Sequence, residues 1–319
     1  MKIPAHQSFM NKLSLALIAI AVVACKDHHT DVLAVNDSDT ATVTTEATEY
    51  RNLSQEFKDY WYAGQAELTS YDLVQERYGE LREGTAVNIF VTEDFLPDVQ
   101  VKADGYAESN IPVLKLNNTK KFLTGLYPYS IMTSSFVPVD RKDHAIKVTH
   151  SMQEWCGHVY VQLNNRSDYE IKAHSYFEGE ADASISVEKT WLENEIWNLI
   201  RINPDELPTG TFTMVPSFEY SRFKHKKIDA YNAEAELSAG NDNLSTYQIN
   251  YPDLNRTLAI HFSTEFPYEI EGWTETTLSR GPNPKELTTT ATKKERILSP
   301  YWTKNGVEDE ALRESLGLE

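Results

Sequence analysis

The stretch WCGHVYVQL-NNRSD-YEIKAHSYF, residues 155–177, decides the fold of this 319-residue chain. In its first nine residues every second position is apolar or glycine, and its last nine residues alternate in the same way. A period of two places successive side chains on opposite faces of a β-strand. The five residues between the two halves, Asn164 to Asp168, are typical of a turn. Two such strands joined by a short polar loop predict an antiparallel hairpin.

Short β-prone runs separated by polar turns continue on both sides of this hairpin. Before it, the pattern predicts strands at 66–78, 86–92, 113–116, 122–126, 129–137 and 145–149. After it, the pattern predicts strands or extended segments at 211–223, 226–237, 246–251, 257–262, 266–277 and 286–296. Strands that follow one another with few helices favour an antiparallel sheet. We therefore expect a mainly β fold whose sheet curls into a barrel or half-barrel.

Three segments have the spacing of an amphipathic helix. In residues 188–202 a stripe of Leu and Ile recurs at intervals of three and four, and Pro204 follows it. Such a stripe predicts a helix that buries one face. Shorter helices are predicted near the two ends, at 50–61 and 308–316. The helix at 188–202 either covers the open mouth of the curled sheet or packs as an ordinary core helix.

The first residues have the pattern of a segment that is removed after export. Lys2 and Lys12 precede an uncharged apolar run at 13–24, which is too short to span a bilayer comfortably. The run ends in Val-Val-Ala before Cys25 and so resembles the lipobox of bacterial lipoproteins. In that family the peptide is cut before the cysteine, whose sulfur is acylated. We therefore predict a signal peptide at 1–24 and lipid on Cys25.

The rest of the chain divides into a tether and a folded region. Residues 26–49 contain no Phe, Trp or Tyr and show no sustained period, so they bury too little apolar surface to fold. Together with Cys25 they form a predicted flexible tether at 25–49. Residues 50–319 form the β-rich region, as one large domain or as two sub-domains that divide near 190–205.

The charge of the chain limits its partners. The formal net charge is −18, and removal of Lys2 and Lys12 with the leader makes it −20 (−18 minus 2). A strongly acidic protein does not suit nucleic acid, whose phosphates bind clustered Lys and Arg. We expect the lipid on Cys25 to bind the membrane. Lys26 after the cysteine favours the outer membrane by resemblance to Gram-negative lipoproteins, with the periplasmic face and the cell surface both open.

One cluster of side chains could carry chemistry. On a continuous strand Glu154, Cys156 and His158 would share a face, and His174 lies on the partner strand of the hairpin. A thiolate beside imidazole and carboxylate groups can act as a nucleophile or bind zinc. The alternative is that Cys156 is a small buried filler and that the other three residues lie at the surface. No catalytic residue, metal site or cofactor is otherwise predicted, because the motifs of common nucleotide, serine-hydrolase and zinc sites do not occur in the sequence.

Several blocks of the sequence resemble a known family. They include YWYAGQAELTSYDL at 60–73, RYGELREGTAVNIFVTEDF at 77–95 and QEWCGHVYVQLNNRSDYEI at 153–171. Together they are similar to Bacteroidetes envelope lipoproteins, often labelled "septum formation inhibitor Maf". True Maf proteins are cytoplasmic nucleotide pyrophosphatases with an S-x-S-P-R-R motif, which this chain lacks. The resemblance therefore implies an envelope lipoprotein and transfers no catalytic residue.

These observations favour a non-enzymatic lipoprotein of the cell envelope. The predicted curled sheet with one helix resembles the half-barrels of bacterial lipoprotein carriers in architecture. We expect it to bind an apolar ligand or an envelope protein. The alternative is a periplasmic or surface hydrolase, which would need a deep polar pocket with convergent carboxylates.

Overall fold

A curled, open β-sheet makes up most of the protein in a computed structural model that describes residues 48–240, 243–280 and 282–318. The sheet contains 16 strands in this part of the chain. Their bounds are β1 Ala66–Arg77, β2 Glu80–Leu96, β3 Val101–Lys102, β4 Ile111–Thr124, β5 Tyr127–Pro138, β6 Lys147–Glu154, β7 Gly157–Asn165, β8 Tyr169–Ser175, β9 Ala183–Val187, β10 Trp191–Leu192, β11 Gly210–Val215, β12 Tyr231–Ala239, β13 Leu244–Tyr251, β14 Arg256–Ser263, β15 Ile270–Leu278 and β16 Glu286–Ser299.

The strands lie in the order β10-β11-β12-β13-β14-β15-β16-β1-β2-β4-β5-β6-β7-β8-β9, and β3 pairs with β2. Every pair along this path is antiparallel except β10 with β11. The prediction of a mainly β, antiparallel, curled sheet is therefore confirmed, and the sheet is not closed.

The two edges of the sheet are strands that follow each other in the chain. Only residues 188–190 separate β9 from β10, so the chain itself brings the edges near each other. Thr190 lies between them: its carbonyl accepts a hydrogen bond from Tyr169 Oη on β8 at 2.5 Å. Its hydroxyl donates to the carbonyl of Thr213 on β11, also at 2.5 Å. The backbones of β9 and β10 are not paired, and these two hydrogen bonds connect the two ends of the sheet through Thr190.

The hairpin predicted at 155–177 is confirmed as β7 and β8, with Val161 opposite Ala173. Val159, Val161 and Leu163 are buried on the inner face, as the alternation predicts. Trp155 is not part of the strand, because residues 155–156 form the turn from β6 to β7.

Strand β4 is continuous where two strands were predicted at 113–116 and 122–126. The polar residues between them resemble a turn in sequence, but their backbones pair with β2 and β5. Ser134 donates a hydrogen bond to Asn117 at 2.7 Å, and Asn118 donates to Asn88 at 2.6 Å. The neighbouring strands therefore satisfy the amide groups that suggested a loop.

The helix predicted at 188–202 is α2, which spans Glu193–Ile202. It packs against β4 and β5, and its predicted stripe lies in the main hydrophobic core. Almost the whole helix is buried, including its polar residues Glu193, Asn194, Glu195, Asn198 and Arg201. The helix therefore fills the interior of the curled sheet and does more than cover its mouth.

A second internal helix, α3, spans Phe218–Lys224 and is mostly buried. The sequence analysis placed a strand at 211–223, which is wrong beyond Val215, where β11 ends. The side chain of Ser217 accepts the backbone N–H of Tyr220 at 3.1 Å and caps the helix. The apolar residues at 218, 220 and 223 also fit a strand pattern in part, so the pattern favoured the wrong element.

The terminal elements are short. Helix α1 spans Gln55–Trp61 within the predicted 50–61, and Ser54 caps it. The short helix predicted at 308–316 is the C-terminal segment Val307–Leu316, which is a 3-10 helix. Among the described residues, no helix combines the length and the apolar character that a membrane span requires.

Candidate ligand-binding site

An open pocket of about 300 Å³ lies between strands β7 to β9 and the end of α3. Its walls are mostly apolar and include Val159 and Val161 from β7, Ile185 from β9, Phe218 from α3 and Ile228 beyond it. This volume is at the lower end of the range of small-molecule pockets in proteins. It combines apolar walls with access to solvent, so it can hold part of an apolar molecule.

Two chain segments shape the mouth of this pocket. The loop from β8 to β9 contains a 3-10 turn at Glu178–Glu180, and Asp182 accepts the backbone N–H of Ser175 at 3.2 Å. On the other side, His225 caps the C-terminal end of α3 in the left-handed conformation, with φ of 53°. The chain then turns through residues 226–230 along the rim of the pocket.

One carboxylate, Glu180, links the loop to the end of α3. Arg222 Nη1 donates to Glu180 Oε2 at 2.9 Å, and His225 Nδ1 contacts the other oxygen of the same carboxylate. The guanidinium of Arg222 also lies 4.1 Å from the ring centre of Phe177. These contacts hold the loop against α3, so the mouth is defined by paired side chains.

Two polar atoms at this pocket have no hydrogen-bond partner among the described residues, namely Ser221 Oγ and Arg222 Nε. Both side chains line the pocket, and their residues are only 4% and 7% exposed. A buried polar group without a partner costs about 1–3 kcal/mol, so proteins rarely retain one without a reason. Six further buried side-chain atoms in the described residues also lack a partner, so this pair does not by itself identify a ligand site.

The mouth of the pocket carries charged side chains of both signs. Arg222, Lys226 and Lys227 line it together with Glu180, and Asp229 pairs with Lys227 at 2.6 Å. Asp182, which accepts the backbone N–H of Ser175 at the same rim, is a third carboxylate, so three cations face three carboxylates. Lys226 has no ion pair within the described part of the chain and is exposed. The formal charges at the mouth therefore balance, with His225 taken as neutral.

A second cavity lies deep inside the sheet, beside α2, and has the opposite character. Its volume is about 50 Å³, which is enough for roughly four water molecules. Its lining includes Glu193, Glu219 and Glu275 together with Lys120 and Arg256. Its carboxylates converge, as a hydrolase would require.

The charges of this interior cavity are paired with one another. Arg256 binds Glu193 through Nη2 at 2.7 Å and Glu275 through Nε at 2.6 Å, and Lys120 binds Glu219 at 2.7 Å. Burial raises the pKa of Glu219, and Lys120 only partly opposes this. Burial also acts on Glu275, but Arg256 and Lys120 outweigh it and lower the pKa of that carboxyl. The cavity is a set of satisfied ion pairs with room for water.

The four residues of the predicted cluster lie around one turn, but they do not converge. Glu154 ends β6 and accepts the backbone N–H of Cys156 at 2.7 Å, and Cys156 is exposed in the turn. His158 and His174 are exposed on β7 and β8, and His174 contacts Asp182 at 3.4 Å. Within the described ranges, no group of His, Cys, Asp and Glu has the arrangement of a metal site. The turn at 155–156 breaks the single strand that the common face required.

Of these four residues, only His174 borders the apolar pocket. Sequence reasoning missed Ser221 and Arg222, because the segment PSFEYSRFKHKK was interpreted as strands. A signal for the helix was present: Pro216 and Ser217 precede an acidic residue, which is typical of a helix start. The basic run at 224–227 was likewise visible, but the fold was needed to place it beside an apolar wall.

Cys25, the predicted leader and the tether up to residue 47 lie outside the described residues, so lipidation stays a prediction. No family model and no curated protein matches this chain. One solved structure similar to it is described as a porin-like protein from Bacteroides uniformis. It is 9% identical, the alignment covers 72% of this chain and 95% of that one, and the TM-score is 0.23. A likeness this weak carries no argument about fold or function.

Proposed function

We propose that this chain is an envelope lipoprotein that binds an apolar ligand in the pocket between β7 to β9 and α3. The observation that carries the proposal is the pocket itself, with about 300 Å³ of space, mostly apolar walls and an open mouth. Such a combination is typical of ligand sites in proteins. The ligand would enter beside α3, since the centre of the curled sheet is filled by α2.

The interior cavity supports binding over hydrolysis as the function. It does contain three convergent carboxylates, which was the condition for the hydrolase alternative. However, each is engaged by a cation, and the cavity has room only for a few waters. This cavity therefore gives no support to a hydrolase, and the apolar pocket alone carries the proposal of a binding or carrier module. Docking of this module to another envelope protein stays a prediction.

The membrane anchor is the second half of the proposal. Lipid on Cys25 is supported by the apolar run that ends in Val-Val-Ala-Cys and by the acidic charge of the chain, which does not suit anionic headgroups. Several acyl chains on one residue hold a protein on a membrane far better than a single chain. The proposed location is the outer membrane, on its periplasmic face or at the cell surface.

Metabolic labelling tests the anchor. Cells that express the chain are grown with alkyne-tagged palmitate, and the protein is recovered from the membrane fraction. We expect the wild type and Cys156→Ala to carry the label and Cys25→Ala to lose it and leave the membrane fraction. Label that persists in Cys25→Ala would place the lipid on another residue, and a wild type without label would refute the anchor.

Photolabelling tests the pocket without removing the chain from its membrane. Membranes that contain the full chain are illuminated with a diazirine derivative of decanoic acid, and labelled peptides are mapped by mass spectrometry. We expect saturable labelling within residues 159–185 and 218–228, which supply the pocket walls. Labelling that does not saturate, or that spreads evenly over the chain, would refute ligand binding at this site.

A further inference from the structure

We infer that a cavity beside the turn between β1 and β2 binds a phosphomonoester group. The cavity is separate from the apolar pocket, and the inference goes beyond the proposed function. It has a volume of about 300 Å³ and lies between the turn at Tyr78 and Gly79, the end of α3 and Arg280 beyond β15. Two observations carry the inference, namely the charge of the lining and a buried arginine that no carboxylate neutralises in the described chain.

The first observation is the charge of the lining. It contains three cations, Arg77, Lys224 and Arg280, but Glu76 is its one carboxylate in the described part of the chain. Glu76 binds Lys224 Nζ at 2.7 Å, so these two charges cancel. With His225 taken as neutral, the lining keeps two positive charges in a chain whose net charge is −18.

Acids next to the lining do not remove this charge. Glu80 lies opposite Arg77 in the ladder, but its carboxylate pairs with Arg82. Glu180, from the loop between β8 and β9, pairs with Arg222 at 2.9 Å. Each of these acids is accompanied by an arginine of its own, so the two positive charges of the lining remain.

The second observation is the state of Arg77, which is only 7% exposed. Its guanidinium donates to the hydroxyls of Tyr78 and Tyr129 at 3.2 Å and to the carbonyl of Phe223 at 3.1 Å. These acceptors are neutral, and no carboxylate pairs with Arg77 among the described residues. The nearby rings of Tyr78 and Phe223 offset only part of the cost of burying a charge. An arginine so buried is normally paired, so an anion that enters the cavity stabilises this charge.

An anion can reach the lining from solvent. Tyr78 and Arg280 are exposed, whereas Arg77 and Lys224 are largely buried, so the cavity opens on the side of the exposed pair. Arg280 has no ion pair in the described chain and can contact the anion directly. The two buried cations attract the anion across the low dielectric of the walls, where a charge acts over a longer distance than in water.

The size of the charge selects the ligand. A phosphomonoester carries about −1.5 to −2 near pH 7 and so matches the two positive charges, whereas a carboxylate or a phosphodiester carries one negative charge. Arginine also binds phosphate oxygens through parallel N–H bonds. The rings of Tyr78 and Phe223 provide a wall for the organic part of the ester. The ester is either a soluble molecule or a lipid headgroup, and its phosphate has the same chemistry in both.

Calorimetric titration of the full chain in neutral detergent tests the inference. Phenyl phosphate is the probe, and benzoate, which has the same ring and one negative charge, is the reference. We expect phenyl phosphate to bind about tenfold more tightly, and the difference to shrink as sodium chloride is added. Equal affinities, or no binding of phenyl phosphate, would overturn the inference. Neither result changes the photolabelling of the apolar pocket, on which the proposed function depends.

Displacement of phenyl phosphate separates the two sources of the ester. Glycerol 1-phosphate represents a soluble ester, and dioctanoyl phosphatidate represents a lipid headgroup. Whichever of the two displaces the probe at the lower concentration identifies the source, and either result supports a phosphomonoester site. Dioctanoyl phosphatidylcholine, a phosphodiester, is the control, and displacement by it at the same concentration as by phosphatidate would contradict the inference.

Variants assign the affinity to the lining. Arg280→Gln should weaken the binding of phenyl phosphate about tenfold, because it removes the exposed cation. Glu76→Gln should strengthen it about threefold, because it removes the carboxylate and keeps a similar shape. Arg313→Gln is the control, since Arg313 is an exposed arginine in the C-terminal segment. Wild-type affinity in Arg280→Gln, or unchanged or weaker binding in Glu76→Gln, would show that the anion does not bind in this cavity.

Discussion

The interior around α2 and the pocket beside α3 differ in the side chains that line them. Around α2 the charged side chains are paired: Arg201 with Glu67, and Arg256 with Glu193 and Glu275. At the pocket, Ser221 Oγ and Arg222 Nε lack a partner in the described chain. The paired charges around α2 leave space only for water, so we assign them a structural role and not a role in ligand binding. Buried atoms without a partner also occur in the interior, as at His150 Nε2, so the apolar walls and the open mouth are what distinguish the pocket.

Hydrogen bonds to the polar side chains of α2 explain why this helix is buried on all sides. Its apolar stripe accounts for one face only, and the other faces bear acids, amides and an arginine. Asn198 accepts from Ser135 at 2.6 Å and donates to the carbonyl of Leu114 at 2.8 Å. Glu195 accepts from the backbone N–H of Ala145 at 2.6 Å. Each polar face of the helix therefore binds a different part of the surrounding sheet.

The largest effect is expected from breaking an ion pair beside α2. Arg256→Met leaves the buried carboxylate of Glu193 without its guanidinium, and such an uncompensated charge costs about 3–5 kcal/mol. We expect the free energy of unfolding, measured with urea, to fall by about that amount. Lys227→Met is the matched control, because the exposed pair of Lys227 with Asp229 contributes at most about 1 kcal/mol. Equal losses in the two variants would contradict the contrast between interior and rim.

The general architecture followed from the sequence because strand alternation reports burial directly. Val159, Val161 and Leu163 lie on the inner face that their spacing predicts. The stripe of α2 likewise predicted the helix, although α2 begins at Glu193 rather than at 188. The strand and the helix were each predicted from one local pattern of apolar residues. The curled antiparallel sheet was predicted because many such strands follow one another in the chain.

The candidate site did not follow from the sequence, because it depends on contacts between distant segments. Arg222 meets Glu180, 42 positions earlier in the chain. Glu193 meets Arg256, 63 positions later, so a residue that a helical wheel places in solvent is buried. The predicted cluster relied on a continuous strand, which the turn at 155–156 interrupts.

A smaller effect is expected from His150, which lies inside the sheet on β6. Burial, together with the nearby charges of Lys120 and Arg222, lowers the pKa of His150 to about 3, from a usual 6.5. The folded protein keeps the ring neutral while the unfolded chain takes up a proton below about pH 6.5. The stabilisation is therefore complete above that pH and is lost as the pH falls toward 3. Between pH 7 and pH 5 the loss amounts to about 2 kcal/mol.

Urea unfolding at pH 7 and pH 5 measures this contribution. His150→Gln keeps a polar partner for the hydroxyl of Thr133, which lies 2.9 Å from the ring nitrogen. We expect the difference in unfolding free energy between the two pH values to shrink by about 2 kcal/mol in this variant. His158→Gln, at an exposed position on β7, should leave the difference as it is in the wild type. If the change in unfolding free energy between pH 7 and pH 5 is the same in His150→Gln as in the wild type, the buried ring does not remain neutral.

A third test fills the apolar pocket. Ala183 on β9 lines it, whereas the side chain of Ser184 is exposed and binds Lys172 at 2.9 Å. Ala183→Phe should weaken saturable photolabelling about tenfold, equivalent to about 1.4 kcal/mol, because the ring takes the space of the ligand. The stability of the fold should change by less than about 1 kcal/mol, since the pocket is open to solvent. Ser184→Phe should leave labelling intact, and equal losses in both variants would place the ligand elsewhere.

The smallest effect is expected at the turn that the sequence analysis singled out. Cys156 is exposed there, and the hydrogen bond with Glu154 raises the pKa of its thiol, so the reactive thiolate is disfavoured near neutral pH. Cys156→Ser should change the unfolding free energy by less than about 0.5 kcal/mol and leave photolabelling of the pocket unchanged. Glu154→Gln should speed the alkylation of Cys156 by iodoacetamide, because the opposing carboxylate is gone. Loss of pocket labelling in Cys156→Ser would instead give this turn a part in binding, since Val159 on the strand that follows the turn lines the pocket.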